Sequence, residues 1–185
     1  MSRLPPFVAL VAMLVPLAAQ AQSHLGEMSL LGSYSKTTYG ADSYATSKRY
    51  TASLGYNLTL LTQVEVAYTT VNRYFRQADV QSVTVEEQTL SASLVQTLVP
   101  PDWYFQPYVK GGAAQYNRRQ NGSVNGIPTR EVYTKSPSFV LGAGARVFFM
   151  RNFSFNAEFI TYFPDLKWPE GKNNIAFEGG LSWHF

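Results

Sequence analysis

From Gly26 to the last residue the chain keeps a period of two, with apolar residues alternating against small or polar ones. Successive side chains of a β-strand point to opposite faces, whereas a helix repeats every 3.6 residues, so this pattern dictates strands. At the C-terminus Ile175, Phe177, Gly179, Leu181, Trp183 and Phe185 interleave with Asn174, Ala176, Glu178, Gly180, Ser182 and His184. Before them Phe153, Phe155, Ala157 and Phe159 alternate with Ser154, Asn156, Glu158 and Ile160. The same rhythm in the rest of the chain predicts eight strands, near 26–36, 48–58, 63–75, 84–98, 104–116, 138–150, 153–163 and 174–185. The fifth admits two phases. Phe105, Val109, Gly111 and Ala113 are assigned to the apolar face, because the other phase would place Lys110 there.

The connections alternate in length. Those near 59–62, 99–103 and 151–152 are short, while those near 37–47, 76–83, 117–137 and 164–173 are long and rich in Gly, Asn, Ser and charge. Short turns at one end and long loops at the other are the layout of an up-and-down membrane barrel. Upstream, Met1-Ser2-Arg3, the apolar run Phe7 to Ala19 and the small residues of Ala19-Gln20-Ala21 form a secretory signal pattern. The run is shorter than the ~20 residues of a spanning helix. Residues 1–21 are therefore expected to be a cleaved signal peptide, and 22–185 a single barrel domain.

Alternation alone fits a soluble barrel with an apolar interior as well as a membrane barrel with an apolar exterior. Volume separates them, because eight strands enclose a lumen only just wide enough to be filled by side chains or one small ligand. Phe139, Phe149, Phe153, Phe155, Phe159, Phe163, Phe177, Trp183 and Phe185 all fall on the apolar face and would overfill it. The polar face then points inward and carries Glu27, Glu65, Glu158 and Glu178 with Arg49, Lys110 and Arg146. Enclosed together, these charges should form an ion-pair network, since an unpaired buried charge costs several kcal/mol. Aromatic residues crowd the strand ends as belts at two lipid–water interfaces. Trp103, Tyr104, Phe149, Phe153 and Trp183 are assigned to the short-turn end, and Tyr34, Tyr74, Tyr116, Phe163 and Trp168 to the other.

Over residues 22–185 the chain resembles the small eight-stranded outer-membrane barrels of Gram-negative bacteria, of the OmpA transmembrane-domain and OmpX type. The resemblance rests on strand count, loop asymmetry, the Pro107-Tyr108-Val109 strand followed by Gly111-Gly112, and the closing Gly180-Leu181-Ser182-Trp183-His184-Phe185. It implies an all-β antiparallel barrel with a plugged polar lumen, placed in the outer membrane as a monomer with both termini periplasmic. It also implies that Leu181, Trp183 and Phe185 are read as an assembly signal by the barrel-assembly machinery.

Chemistry is sparse. The chain has 2 His and 0 Cys, which removes thiol nucleophiles and cysteine-based metal sites. His24 and His184 are both assigned to the periplasmic end, opposite the leaflet that holds lipid A, which disfavours a lipid A-modifying enzyme. Neither a cofactor nor a metal is expected. A net charge of +3 without a basic face gives no reason to expect nucleic acid. Arg118, Arg119, Arg130 and Lys135 cluster in the 117–137 segment and could contact lipopolysaccharide phosphates, for which guanidinium groups are geometrically suited. The leading expectation is a non-catalytic barrel of structural or surface-interaction type. A narrow channel for small hydrophobic compounds is the alternative, and a lipid A-modifying enzyme ranks last.

Overall fold

The computed structural model describes residues 25–39, 43–77, 81–124, 127–128, 132–166 and 175–185. These form β1 (Gly26–Thr38), β2 (Ser43–Asn57), β3 (Thr62–Gln77), β4 (Gln81–Thr97), β5 (Phe105–Val124), β6 (Ile127–Pro128), β7 (Val132–Met150), β8 (Phe153–Pro164) and β9 (Ala176–His184). The strands pair antiparallel in the order β4-β3-β2-β1-β9-β8-β7-β5, and β4 pairs back onto β5 to close the wall. β6 is only a short extension paired with Ser123 and Val124 at the tip of β5. The wall is thus a closed eight-stranded barrel.

The short connections are built from local hydrogen bonds. The Thr59 hydroxyl accepts from the amides of Leu61 and Thr62, tightening the β2–β3 turn. The β7–β8 turn at Arg151-Asn152 follows a register shift between Phe148 and Met150, and a bulge of this kind bends its strand at a barrel rim. Where the chain ends meet, the amides of Leu25 and Gly26 donate to the Phe185 carbonyl, and the Phe185 amide donates to Gly26.

At the other end the strands run further than the sequence suggests. Much of 37–47, 76–83 and 117–137, expected as loop, is paired ribbon: Ser43 to Ser47 pair with Gln77 to Arg73, and Arg118 to Gln120 with Thr134 to Val132. At ~3.3 Å per residue, β5 with its 20 residues is about 65 Å long, whereas a tilted spanning strand needs only about 9–11 residues. The hairpins therefore project well beyond a bilayer. Glycine, asparagine and charge suggested loops there, but Tyr44, Thr46, Val83 and Val85 favour strands, and each added rung extends an already ordered ladder. Cross-strand contacts reinforce it: the rings of Tyr44 and Tyr74 lie 5.8 Å apart, and the Lys36 ammonium sits 5.2 Å from the Tyr44 ring centroid.

The burial pattern fixes which face is which. From Val85 to Thr97 every odd residue of β4 is buried and every even one exposed. Leu30, Leu54, Leu90, Leu94, Phe155 and Phe159 are each more than half exposed. Such a continuous apolar belt far exceeds the patch a soluble monomer carries. An exterior of this kind belongs in lipid, where a sheet closed on itself pairs the border strands that an open sheet would leave bare. Among the described residues no helix is long and apolar enough to cross a membrane, so the spanning elements are the strands.

Candidate functional site

The alternation that turns leucines outward turns a column of polar side chains inward. Near the short-turn end, Arg146 Nη2 lies 2.9 Å from Glu27 Oε2 and donates to Gln63 Oε1 at 2.9 Å. Gln63 donates in turn to Glu27, and Asn156 bonds both Glu27 and Ser182. One layer up, Lys110 Nζ sits 3.1 Å from Glu65 Oε1 and 2.8 Å from Glu158 Oε1. Tyr108 donates its hydroxyl to Glu158 Oε2 at 2.8 Å, and Ser53 donates to Glu65. Above these, Arg49 Nη1 lies 3.3 Å from Glu178 Oε1 and its guanidinium packs 5.6 Å from the Tyr162 ring centroid. All seven charged residues assigned to the lumen from the sequence are buried and ion-paired.

Three features of the lumen escaped the sequence reading. A further ion pair, Arg73 to Glu87 at 3.2 Å, lies at the wide end. Both residues belong to the inward phase of their strands, and extending the β4 alternation one step past Thr89 would have found Glu87. Second, Val140, Ile160 and Tyr162 form an apolar cluster inside the polar column. Val140 is fully buried, although its neighbours Phe139 and Leu141 are also apolar, so no contrast marks the inward residue. Third, the aromatic assignments at the wide end need correction. Tyr116 is buried, because it shares the even, inward phase of Tyr108 and Lys110, and Phe163 is buried too. Tyr74 is partly buried, and Trp168 lies outside the described residues. Tyr34 is exposed as assigned, and Tyr50, Tyr68, Phe139 and Phe177 are the other exposed rings on that side of the wall. At the short-turn end Trp103, Tyr104, Phe149, Phe153 and Trp183 are all exposed.

Of the four cations assigned to lipopolysaccharide, the three that are described do not share one face of the wall. Arg119 and Lys135 sit on outward positions of the β5–β7 ribbon, opposite Tyr133 and Asn117. Arg118 takes the inward phase, bonds Gln120, and lines a cup of about 700 Å³ with Arg76, Phe75 and Val85. Arg130 lies outside the described residues. The outward pair belongs to two polar rows that cross the wall from β1 or β2 to β7 above its apolar belt. One runs Tyr50–Thr70–Gln88–Asn117–Lys135, the next Tyr34–Lys48–Asn72–Glu86–Arg119–Tyr133.

His184 is buried at the short-turn end, stacks on Phe148 with centroids 4.7 Å apart, and exchanges a hydrogen bond with Ser154 at 2.9 Å. Ser182, the serine nearest it in sequence, instead contacts Ser29 and Asn156. The Ser154 hydroxyl is fully enclosed, so no substrate reaches it. His24 lies outside the described residues. Among the described residues no group of three or more His, Asp or Glu side chains converges as metal ligands. Leu181, Trp183 and Phe185 face outward, with the last two rings 5.2 Å apart.

A closed wall, a filled polar interior and an apolar exterior define a transmembrane β-barrel. Residues 7–185 match the model of the outer membrane protein beta-barrel domain, and the chain belongs to that family. Three solved structures share the fold. The N-terminal β-barrel domain of Pseudomonas aeruginosa OprF is 18% identical with a TM-score of 0.59, covering 89% of this chain and 100% of that one. Yersinia pestis Ail, the attachment invasion locus protein, is 16% identical with a TM-score of 0.53, covering 86% and 99%. Neisserial surface protein A is 14% identical with a TM-score of 0.54, covering 86% and 96%. Ail has also been solved with the heparin analogue sucrose octasulfate, and that structure scores 0.51 at 16% identity, covering 86% and 99%. No curated protein sequence matches the chain.

Proposed function

We propose that this chain is a non-catalytic outer-membrane barrel of structural and surface-interaction type, whose projecting ribbons face the exterior and contact lipopolysaccharide. The observation that carries this reading is the pair of polar rows set directly above the lipid-facing belt, with Lys48, Arg119 and Lys135 outward. That is the depth at which lipid phosphates lie, and each surface cation near an anionic leaflet contributes about 1 kcal/mol. The filled lumen speaks against axial conduction, and the enclosed Ser154 against acyl transfer. An Ail structure with a polysulfated sugar bound lends support to a role for anionic glycans on this kind of scaffold.

The test is binding of purified lipopolysaccharide to the refolded barrel in an uncharged detergent. Replacing Arg119 and Lys135 together with Gln is expected to weaken binding roughly thirtyfold and to flatten its salt dependence, as loss of two cation–phosphate contacts requires. Arg118→Gln, on the opposite face of the same ribbon, is expected to bind as the unmodified chain does. Equal effects from both changes would sink the assignment. Orientation, with both termini periplasmic, is read separately. Protease added to intact cells should cut only within 40–42, 78–80, 125–131 and 167–174, and cleavage at 58–61 would reverse it.

A further inference from the structure

The seam between the first and last wall strands is incomplete. Rungs join β1 and β9 from Glu27↔His184 to Gly32↔Gly179 and stop there. Yet β1 continues to Thr38, and β9 begins at Ala176. No rung joins Ser33, Tyr34 and Ser35 to Glu178, Phe177 and Ala176, which the register would set opposite them. The last rung is a pair of glycines on the outward phase, so among the described residues no side chain covers the wall at this point. Leu30 and Leu181 border the gap on one side and Tyr34 and Phe177 on the other, all exposed. A cavity of about 620 Å³ occupies the gap and is lined by residues of both faces, with Tyr34 and Phe177 outside and Arg49 and Arg73 inside. The opening therefore passes through the wall.

Two physical arguments say what belongs there. Unpaired strand edges beside lipid cost several kcal/mol per polar group unless they line a polar or water-filled space, and this gap opens where the apolar belt gives way to the polar rows. The rim is apolar while the inner end carries two guanidinium groups, each paired on one side, Arg49 with Glu178 and Arg73 with Glu87, and the Arg73 side chain keeps 23% of its surface exposed. We propose that this lateral opening is a binding site for a single-chain amphiphile with an anionic head, such as a long-chain carboxylate. The head lies inside against Arg73 and Arg49, and the chain leaves past Tyr34 and Phe177 at the headgroup level and turns down along Leu30 and Leu181 into the apolar belt. The cavity volume falls in the ordinary range for small-ligand sites, about 300–1,000 Å³.

The experiment uses the full barrel refolded in an uncharged detergent and a dansyl-labelled undecanoic acid as probe. Saturable binding is expected, displaced by palmitate and not by hexadecanol, which has the same chain without the charge. Gly179→Leu and Gly32→Leu plug the opening from its two sides. Each has room: a Cβ at Gly179 would have the Asn156 carbonyl oxygen as its nearest neighbour at 3.7 Å, and one at Gly32 the Arg49 carbonyl oxygen at 3.5 Å. Both variants are expected to keep the gel-mobility shift of a folded barrel and to bind the probe at least tenfold more weakly. Undiminished binding in the folded variants would overturn the proposal, as would equal competition by hexadecanol or the lack of saturable binding in the unmodified chain. Failure of both variants to fold would overturn it too, because an open gap accommodates either side chain.

Discussion

Lys110→Met is expected to lower the stability of the barrel by about 3–5 kcal/mol, the range for removing one partner of a buried ionic group. The side chain is buried between two carboxylates, 3.1 Å from Glu65 and 2.8 Å from Glu158. Met keeps most of its volume but none of its charge. Glu65 and Glu158 would then face one another with only the hydroxyls of Ser53 and Tyr108 as donors. Urea unfolding in micelles, followed by tryptophan fluorescence, should show a lower midpoint with an unchanged slope. Added salt should not restore it, because ions screen exposed pairs far better than enclosed ones. Neutralising the carboxylates as well, in Lys110→Met with Glu65→Gln and Glu158→Gln, should recover most of the loss. A single-variant loss below about 1 kcal/mol would place the lysine in contact with water and discard the sealed column.

Gly180→Val is expected to abolish the closed barrel, while Gly179→Ala, one residue away, changes stability by no more than about 0.5 kcal/mol. The difference is what each Cβ would meet. At Gly180 it runs into the Leu30 carbonyl oxygen and comes within 2.7 Å of the Leu31 Cα, both main-chain atoms across the seam. Main chain cannot swing aside as a side chain can, so the two strands must separate. At Gly179 the nearest atom is 3.7 Å away. The readout is the fraction migrating as folded barrel on an unboiled gel. Normal migration of the valine variant would show that β1 and β9 approach less closely than they do here.

Much of this architecture was legible in the sequence for one reason: a barrel wall has two faces, and a one-residue slip exchanges them. Once Leu90, Leu94 and Leu98 were outside, Thr89, Ser91 and Ser93 had to be inside. The same logic placed Glu27, Arg49, Glu65, Lys110, Arg146, Glu158 and Glu178 in one compartment, although not which acid met which base. Partners depend on register and shear, which bring Glu27 to Arg146 across 119 positions of sequence (146 less 27) and leave no trace in a two-residue period. Val140 went unread because Phe139 and Leu141 on either side of it are apolar too, which erases the contrast that the method needs, whereas Ile160 kept the phase of Glu158 and was placed inward. The ribbon of 117–137 was misjudged because composition reports solvent exposure, and a β-ribbon standing in water is as polar as a loop. The gap beyond Gly32 and Gly179 was invisible for a related reason, since both strands keep their rhythm through it while the hydrogen bonds between them stop.

The pairing of β1 with β9 also governs how the molecule can come into being. Every other neighbour in the wall apart from this pair follows its partner directly along the chain or is separated from it only by the small β6 insertion. Each hairpin can therefore zip from its own turn, with little loop entropy to overcome. The seam cannot: it waits for residues at the extreme end of the sequence to return to the beginning. Until then the growing sheet carries two raw borders, and the charges of its concave side lack the enclosure that pairs them. No fragment lacking either outermost strand can reach the finished state by degrees. Closure is therefore the one step of assembly that local pairing cannot supply.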